Sequence, residues 1–351
     1  MSSLLSNEAD APRGEAVTLI VPVHNGGARF VAALRAVADL RPRPEQVIVV
    51  DDGSTDGSAD LARTMGFEVL DAPARSGPAA ARNLGAHRAH GDLLFFIDAD
   101  VEVRNDCVAE VRRLFREHPE VSAIVGSYDD APSEPNFFSQ YKNLFNHYTH
   151  QSARDQAYTF WGACGAIRRD VFLELGGFDV RYLCIEDIEM GYRLKDAGHR
   201  IRMDKSLQVK HLKRWDVVSL FKTDFFVRAM PWSEIILQYG HFDDDLNIDI
   251  ASRIKVVMSW LLFASTALIY FWWPSALILA LLCAGMIVLM DAPLLRFFAR
   301  RRGWWFAARV VPWQIFYYFY SGVAFAWCCA RRLVIGDRPM RQRLAGLEAD
   351  Q

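Results

Sequence analysis

With 351 residues, 52% of them hydrophobic, the chain is long enough for a full α/β domain and is apolar for a soluble enzyme. A formal net charge of -2 excludes the global basic field that would point to nucleic acid, so no nucleic-acid partner is expected. The six cysteines show neither zinc nor Cys-x-x-Cys spacing and read as buried, reduced thiols.

Met1 to Ala16 is polar and acidic and lacks the profile of a signal peptide, so residues 1–16 are expected to be a disordered tail and the next domain cytosolic. Val17 to Val23 is an apolar, β-rich run stopped by His24-Asn25-Gly26-Gly27, which predicts a first strand and its loop. Phe30, Ala33, Leu34, Val37 and Leu40 have helical spacing, and Val47 to Val50 is a second buried strand ending in Asp51-Asp52-Gly53-Ser54. Strand, helix, strand with carboxylates at the strand ends is a parallel βαβ unit. A short helix from Ser58 to Met65 and a strand from Phe67 to Leu70 follow. In Ser76-Gly77-Pro78-Ala79-Ala80-Ala81-Arg82-Asn83-Leu84-Gly85 a small-residue loop opens a helix, which suits either an anion or tight packing.

Leu93 to Ile97 is apolar throughout and ends in Asp98-Ala99-Asp100, which reads as a strand buried on both faces. Its two carboxylates either close a solvated turn or, at the edge where open α/β sheets bind ligands, hold Mg2+ or Mn2+ on a diphosphate. Val108 to His118 is an amphipathic helix, Ser122 to Gly126 another strand, and Phe137 to Tyr158 an aromatic stretch without assignment. Glu186-Asp187 opens a helix running to Leu194. Such an acidic pair either favours the helix dipole or does chemistry.

Val21-Pro22-Val23-His24-Asn25, Val49 to Asp56, Arg82-Asn83-x-Gly85, Asp98-Ala99-Asp100, Gly176-Gly177-Phe178-Asp179 and Glu186-Asp187 occur in one order. In that order the sequence resembles the family 2 glycosyltransferases, which implies the α/β GT-A fold: a Rossmann-like, mostly parallel sheet for a nucleotide-diphosphate sugar. The resemblance covers about Val17 to Trp232 and sets the expected catalytic domain at 17–232. It implies that Pro22, Val23, Asn25 and Asp52 hold the nucleoside, with Arg82 near the phosphates and Asp98 beside them. It further implies that Asp98 and Asp100 bind the metal, that Asp187 is the catalytic base, and that Glu186 is structural or orients the acceptor. His211 is the expected third metal ligand, with a solvent-exposed histidine as the alternative. Trp161 is a candidate for stacking on a sugar ring. His211-Leu212-Lys213-Arg214-Trp215 resembles the Gln-x-x-Arg-Trp motif of processive synthases, with His in place of Gln, and nominates Arg214 and Trp215 for the acceptor. Arg228 and Trp232 in Arg228-Ala229-Met230-Pro231-Trp232 are nominated with them, for an acceptor's phosphate and apolar body.

After a linker over 233–255, residues 256–273 and 275–290 are apolar all round and suit a membrane hairpin closed by Trp272-Trp273-Pro274. The connector 291–309 carries Arg296, Arg300, Arg301, Arg302 and Arg309 and reads as a helix on an anionic cytosolic leaflet. Residues 310–330 have the length of a third crossing, a re-entrant course being the alternative, and 331–351 is a basic tail. The expectation is therefore a multi-pass enzyme of the cell (inner) membrane with a cytoplasmic catalytic domain. It would move one sugar from a nucleotide-diphosphate sugar to a lipid or lipid-linked acceptor. A processive synthase of the same family and a catalytically inactive membrane scaffold are the alternatives. A Rossmann oxidoreductase is disfavoured, because the first loop lacks Gly-x-Gly-x-x-Gly.

Overall fold

The computed structural model describes residues 15–240 and 249–336, so most of the N-terminal tail, part of the linker and most of the basic C-terminal tail lie outside the described residues. The chain opens with β1 (Val17–Val23), α1 (Gly27–Ala38), β2 (Gln46–Asp51), α2 (Ser58–Thr64), β3 (Glu68–Asp71), α3 (Pro78–Arg88) and β4 (Leu93–Ile97). β3, β2, β1 and β4 lie side by side and parallel, so the loops after β1, β2 and β4 leave one edge of the sheet together. β1 and β4 are buried along their whole length, as unbroken apolar runs must be when helices cover both faces. Gly85 lets α3 press onto the sheet: a Cβ there would stand 2.6 Å from Ile20 Cγ2.

β5 (Val101–Val103), α4 (Cys107–Glu117), β6 (Ala123–Tyr128), α5 (Phe137–Ser152), β7 (Gln156–Ala157), β8 (Cys164–Arg168), α6 (Arg169–Glu174), α7 (Glu186–Asp196) and β9 (Ile201–His211) complete the sheet. Among the described residues its nine strands take the order β3-β2-β1-β4-β8-β6-β9-β5, with β7 beside β9. β8 runs antiparallel to β4 and β6, and β5 antiparallel to β9. The aromatic stretch left unassigned from sequence is largely the 16-residue α5.

The expected linker over 233–255 is partly helical. α8 (Val217–Lys222), a π-helical turn (Thr223–Ala229) and α9 (Met230–Tyr239) run on from the sheet, and α10 (Ile250–Leu268) begins inside the same range. α11 (Ser275–Met290), α12 (Ala292–Arg302) and α13 (Trp304–Ile335) follow.

Among the described residues α10 is the one helix long and apolar enough to cross a membrane, and α11 with α12, bent by 64°, is a second only if that pair is one span. The three crossings expected from sequence are therefore not supported. α13 is long, but it spends Gln314, Tyr318 and Tyr320 on buried polar contacts, and these lower its apolar character. The basic connector also differs from expectation. Leu294 and Phe298 of α12 pack into one apolar cluster with Tyr141, Leu144 and Phe145 of α5. Arg301 pairs with Asp130 at 2.6 Å, and Arg302 donates to Gln140 Oε1 at 2.6 Å. The apolar stripe of α12 is thus buried on the catalytic domain, because α5 offers it an aromatic face.

Candidate active site

A cavity of about 1250 Å3 opens at the carboxyl edge of the sheet and runs from Pro22, Asp52 and Asp100 past Asp187 to Trp260 and Phe325. Pro22, Val23 and Asn25 line it after β1. Asn25 joins that loop to the one after β2, its amide donating to Ser54 Oγ at 2.9 Å and its Oδ1 accepting from the Thr55 amide at 2.8 Å. Asp52 lies buried at the end of β2. Its oxygens accept from the Ser76 amide at 2.7 Å and the Gly77 amide at 2.8 Å, so it draws the small-residue loop to the sheet edge.

The buried Arg82 bridges two carboxylates. It donates to Asp98 Oδ1 at 2.5 Å and to Glu186. Its guanidinium therefore organises two acidic side chains through charge-assisted bonds, and the residue lines the cavity as well. Burial pushes Glu186 up to about 7 against the opposing pull of Arg82, and burial likewise raises Asp98.

Glu186 and Asp187 begin α7, and two features seat them. Ile185 holds φ at 65°, a left-handed conformation that is costly for a β-branched residue, and it is fixed by packing with Tyr192 and Ile235. Gly191 lets α7 lie on the backbone of 158–160, since a Cβ there would come within 2.6 Å of the Phe160 amide nitrogen and the Tyr158 carbonyl. Asp187 Oδ2 accepts from the Gly162 amide at 3.0 Å and Oδ1 from the Ile188 amide at 2.8 Å, so the carboxylate is oriented and still lines the cavity.

The β5–β9 register sets Val101 opposite His211, which brings the histidine to Asp100. His211 Nε2 stands 3.4 Å from Asp100 Oδ2, while Nδ1 is 3.0 Å from Asn143 Oδ1. Nε2 is thus the ring nitrogen directed at the carboxylate, and Nδ1 is the one held by Asn143. Two such groups face to face call for a cation between them, a proton or a metal. Burial would raise Asp100, but His211, Lys213 and Arg29 outweigh it and hold its carboxyl at about 2. Among the described residues no three His, Cys, Asp or Glu side chains form a metal-holding group. The expected trio is therefore not assembled, because Asp98 is drawn to Arg82. Asp100 and His211 still fit a divalent cation whose remaining ligands are diphosphate oxygens and water.

Tyr128 stacks on His211 with centroids 4.8 Å apart and meets Trp161 edge-on at 4.6 Å, so Trp161 joins an aromatic wall of the cavity. Arg228 and Trp232 line the cavity too. Arg214 does not line it. Its side chain is 71% exposed and reaches Glu134 at 3.5 Å, so the Arg-Trp part of the synthase-like motif is split. Trp215 is 1% exposed and packs with Tyr141 and Leu220, and it also lines the cavity. Sequence reasoning missed Asn143, Lys142, Tyr128 and Asp224. For Lys142 and Asn143 the only signal was polar residues within aromatic helical sequence, while Tyr128 ends β6 and Asp224 stands in the turn after α8.

Residues 18–176 match the family model for glycosyl transferase family 2. An O-antigen chain rhamnosyltransferase of Salmonella anatum is 28% identical over 235 residues, 61% of this chain and 73% of that protein. A pre-mycofactocin glycosyltransferase of Mycobacterium tuberculosis is 28% identical over 57% of this chain but only 43% of its own length. A mannosyltransferase from Pyrobaculum calidifontis, solved with GDP-Man and Mn2+, is similar in fold, with a TM-score of 0.57, 18% identity, and coverage of 90% of this chain and 88% of that one.

Proposed function

The chain belongs to glycosyl transferase family 2 and has the GT-A fold, and we propose that it is a membrane-bound inverting enzyme moving one sugar from a nucleotide-diphosphate sugar to a lipid or lipid-linked acceptor at the cytosolic leaflet. The observation that carries this reading is the continuity of one cavity, lined by Asp52, Asp100 and Asp187 at one end and by Val256, Trp260 and Leu261 of α10 at the other. A soluble acceptor would have no use for the apolar end.

The reaction is one in-line displacement. The acceptor hydroxyl oxygen bonds to the anomeric carbon as the bond from that carbon to the diphosphate oxygen breaks, and the electron pair leaves with the nucleoside diphosphate. Asp187 takes the hydroxyl proton, which a carboxylate can do because the proton becomes acidic only as the new bond forms. Pro22, Val23, Asn25 and Asp52 are the residues that would meet the nucleoside. Asp100 and His211, with Asp98 beside them, would hold Mg2+ or Mn2+, whose charge offsets that of the leaving diphosphate.

Membrane attachment is supported by the exposed apolar side chains of α10 and α11, among them Val257, Leu261, Leu281, Leu282 and Leu289. Arg300, Arg301 and Arg302 end α12, which is docked on the catalytic domain, so the basic cluster and the active site share one side; the positive-inside rule makes that side cytosolic. The test offers membranes containing the full chain a panel of nucleotide sugars with Mg2+ or Mn2+ and follows sugar transfer into the lipid fraction. Transfer from one donor, one sugar per acceptor, is expected. Long glycan chains would favour a processive synthase, and no transfer from any donor would overturn the reading.

A further inference from the structure

The turn that precedes the catalytic base is strained, and its own sequence does not hold it. Ile185 caps α7 immediately before Glu186 and Asp187 with φ 65° and ψ 15°, and a β-branched side chain disfavours that left-handed region because its Cβ crowds the following carbonyl oxygen. Such a conformation persists only where the surroundings impose it. The far end of α7 is fixed separately, since Arg193 donates to the Leu175 and Gly177 carbonyls at 2.7 and 2.8 Å. The turn itself leans on α9. Ile235 of α9 is fully buried and packs with Ile185 and Tyr192, and of the two isoleucines only Ile185 lines the cavity. Two hydroxyl bonds flank that contact, from Tyr182 to Gln238 Oε1 at 2.9 Å and from Tyr239 to Glu189 Oε1 at 3.1 Å.

α9 also has a second partner. Met230 packs with Ala324 and Cys328 of α13, Glu234 pairs with Arg331 at 3.1 Å, and the Leu237 carbonyl accepts from Arg332. α13 in turn meets α10, with the rings of Phe319 and Phe263 4.2 Å apart. We infer that Ile235 is a positioning residue for Asp187: it holds the left-handed turn at Ile185, so that α9, carried on α13, makes the placement of the base depend on the docking of the apolar helices. The inference rests on the proposed transfer reaction for the role of Asp187. Ile235 touches no reacting atom and acts through Ile185. When its side chain is shortened, the turn loses the packing that offsets its strain and relaxes, and the carboxylate leaves the Gly162 amide that it now accepts from at 3.0 Å.

The test follows that amide in the full chain in detergent, by hydrogen–deuterium exchange read at single residues. Asp187→Ala sets the exchange rate of Gly162 without its acceptor. The Ser76 amide, held by the Asp52 carboxylate at 2.7 Å, is the control for general loosening. Ile235→Ala is expected to speed exchange at Gly162 at least about tenfold, towards the Asp187→Ala rate, while Ser76 stays within about twofold. Ile235→Val should act in the same direction and serves if Ile235→Ala does not fold. Adding Ile185→Gly to Ile235→Ala should restore part of the protection, because glycine takes the left-handed conformation without support. Met230→Ala combined with Glu234→Gln, which frees α9 from α13 and leaves its contacts with α7, should also expose Gly162. A Gly162 rate unchanged by Asp187→Ala or by the Ile235 variants would overturn the inference. So would equal loosening at Ser76, no recovery with Ile185→Gly, or no effect of the Met230 and Glu234 pair. None of these outcomes depends on turnover. Failure of the transfer reaction would instead appear as absence of sugar transfer by the unaltered chain, with the exchange pattern as described.

Discussion

Asp187 is held by two backbone amides, at 3.0 Å from Gly162 and 2.8 Å from Ile188, and these bonds position it without neutralising it. Asp187→Asn keeps the size of the side chain and an acceptor oxygen but cannot take a proton. Transfer is expected to fall by about a hundredfold to ten-thousandfold, the usual worth of a general base, while affinity for the nucleotide sugar stays within about twofold. Steady-state transfer and donor binding measured on the same preparation check this, and transfer at the unaltered rate would remove Asp187 from the mechanism. Asp98, Asp100 and Glu186–Asp187 were recognisable because each ends an apolar run or opens a helix in a known order. The bond from Arg82 to Glu186 was not, since 104 residues separate the partners and nothing local to either names the other.

At the scale of elements, α4 is tied to β9 through Glu110. Its Oε1 accepts from Arg113 at 2.7 Å and from Ser206 Oγ at 2.6 Å, and these bonds, with Arg113 foremost, hold its carboxyl at about 2 against the usual 4.5. A depressed carboxylate stabilises the fold above its unfolded value and loses that contribution as pH falls towards its folded value. Glu110→Gln should therefore cost about 1–2 kcal/mol near neutral pH, after allowance for solvent screening, with the difference shrinking below pH 4.5 and vanishing near pH 2. Denaturant titrations of both proteins across that range test it, and a deficit independent of pH would show that the bond geometry, not the charge, matters. Elements were legible where one periodicity dominated, as in β1, β4 and α4. α5 was not, because Tyr141, Leu144 and Phe145 are buried alongside Lys142, Asn143 and His147, which blurs any apolar stripe.

Across the whole molecule, a chain of buried polar bonds joins the apolar helices to the catalytic domain. Lys255 Nζ of α10 lies 2.8 Å from Asp291 Oδ1, and the Tyr318 hydroxyl of α13 donates to the same carboxylate at 2.9 Å. Gln314 Nε2 donates to Tyr318 at 3.0 Å, and the Tyr141 hydroxyl of α5 donates to Gln314 Oε1 at 2.7 Å. Removing one ion of a buried pair strands the other, so Lys255→Met should destabilise the protein by about 3–5 kcal/mol. Lys255→Met combined with Asp291→Asn should recover most of that loss, because no unpaired charge remains. Thermal unfolding in detergent of the two single variants and the double variant measures the coupling, and additive losses would mean that Lys255 and Asp291 do not stabilise each other.

By itself the sequence pointed to the family, to five of the nine strands among the described residues and to the acidic residues at the sheet edge, because burial on both faces and charge at a strand end are written in consecutive residues. Only the tertiary structure decided what those residues touch. Arg82 is held by two carboxylates, Asp52 by the Ser76 and Gly77 amides, and Trp215 by core packing at the cavity wall, while Arg214 faces solvent. His211 reaches Asp100 only through a three-residue antiparallel pairing between segments about a hundred residues apart, and α12 turns its apolar stripe to α5 instead of lipid. These outcomes depend on which surfaces meet once the sheet has closed, and hydrophobic pattern records that a surface is apolar without recording its partner.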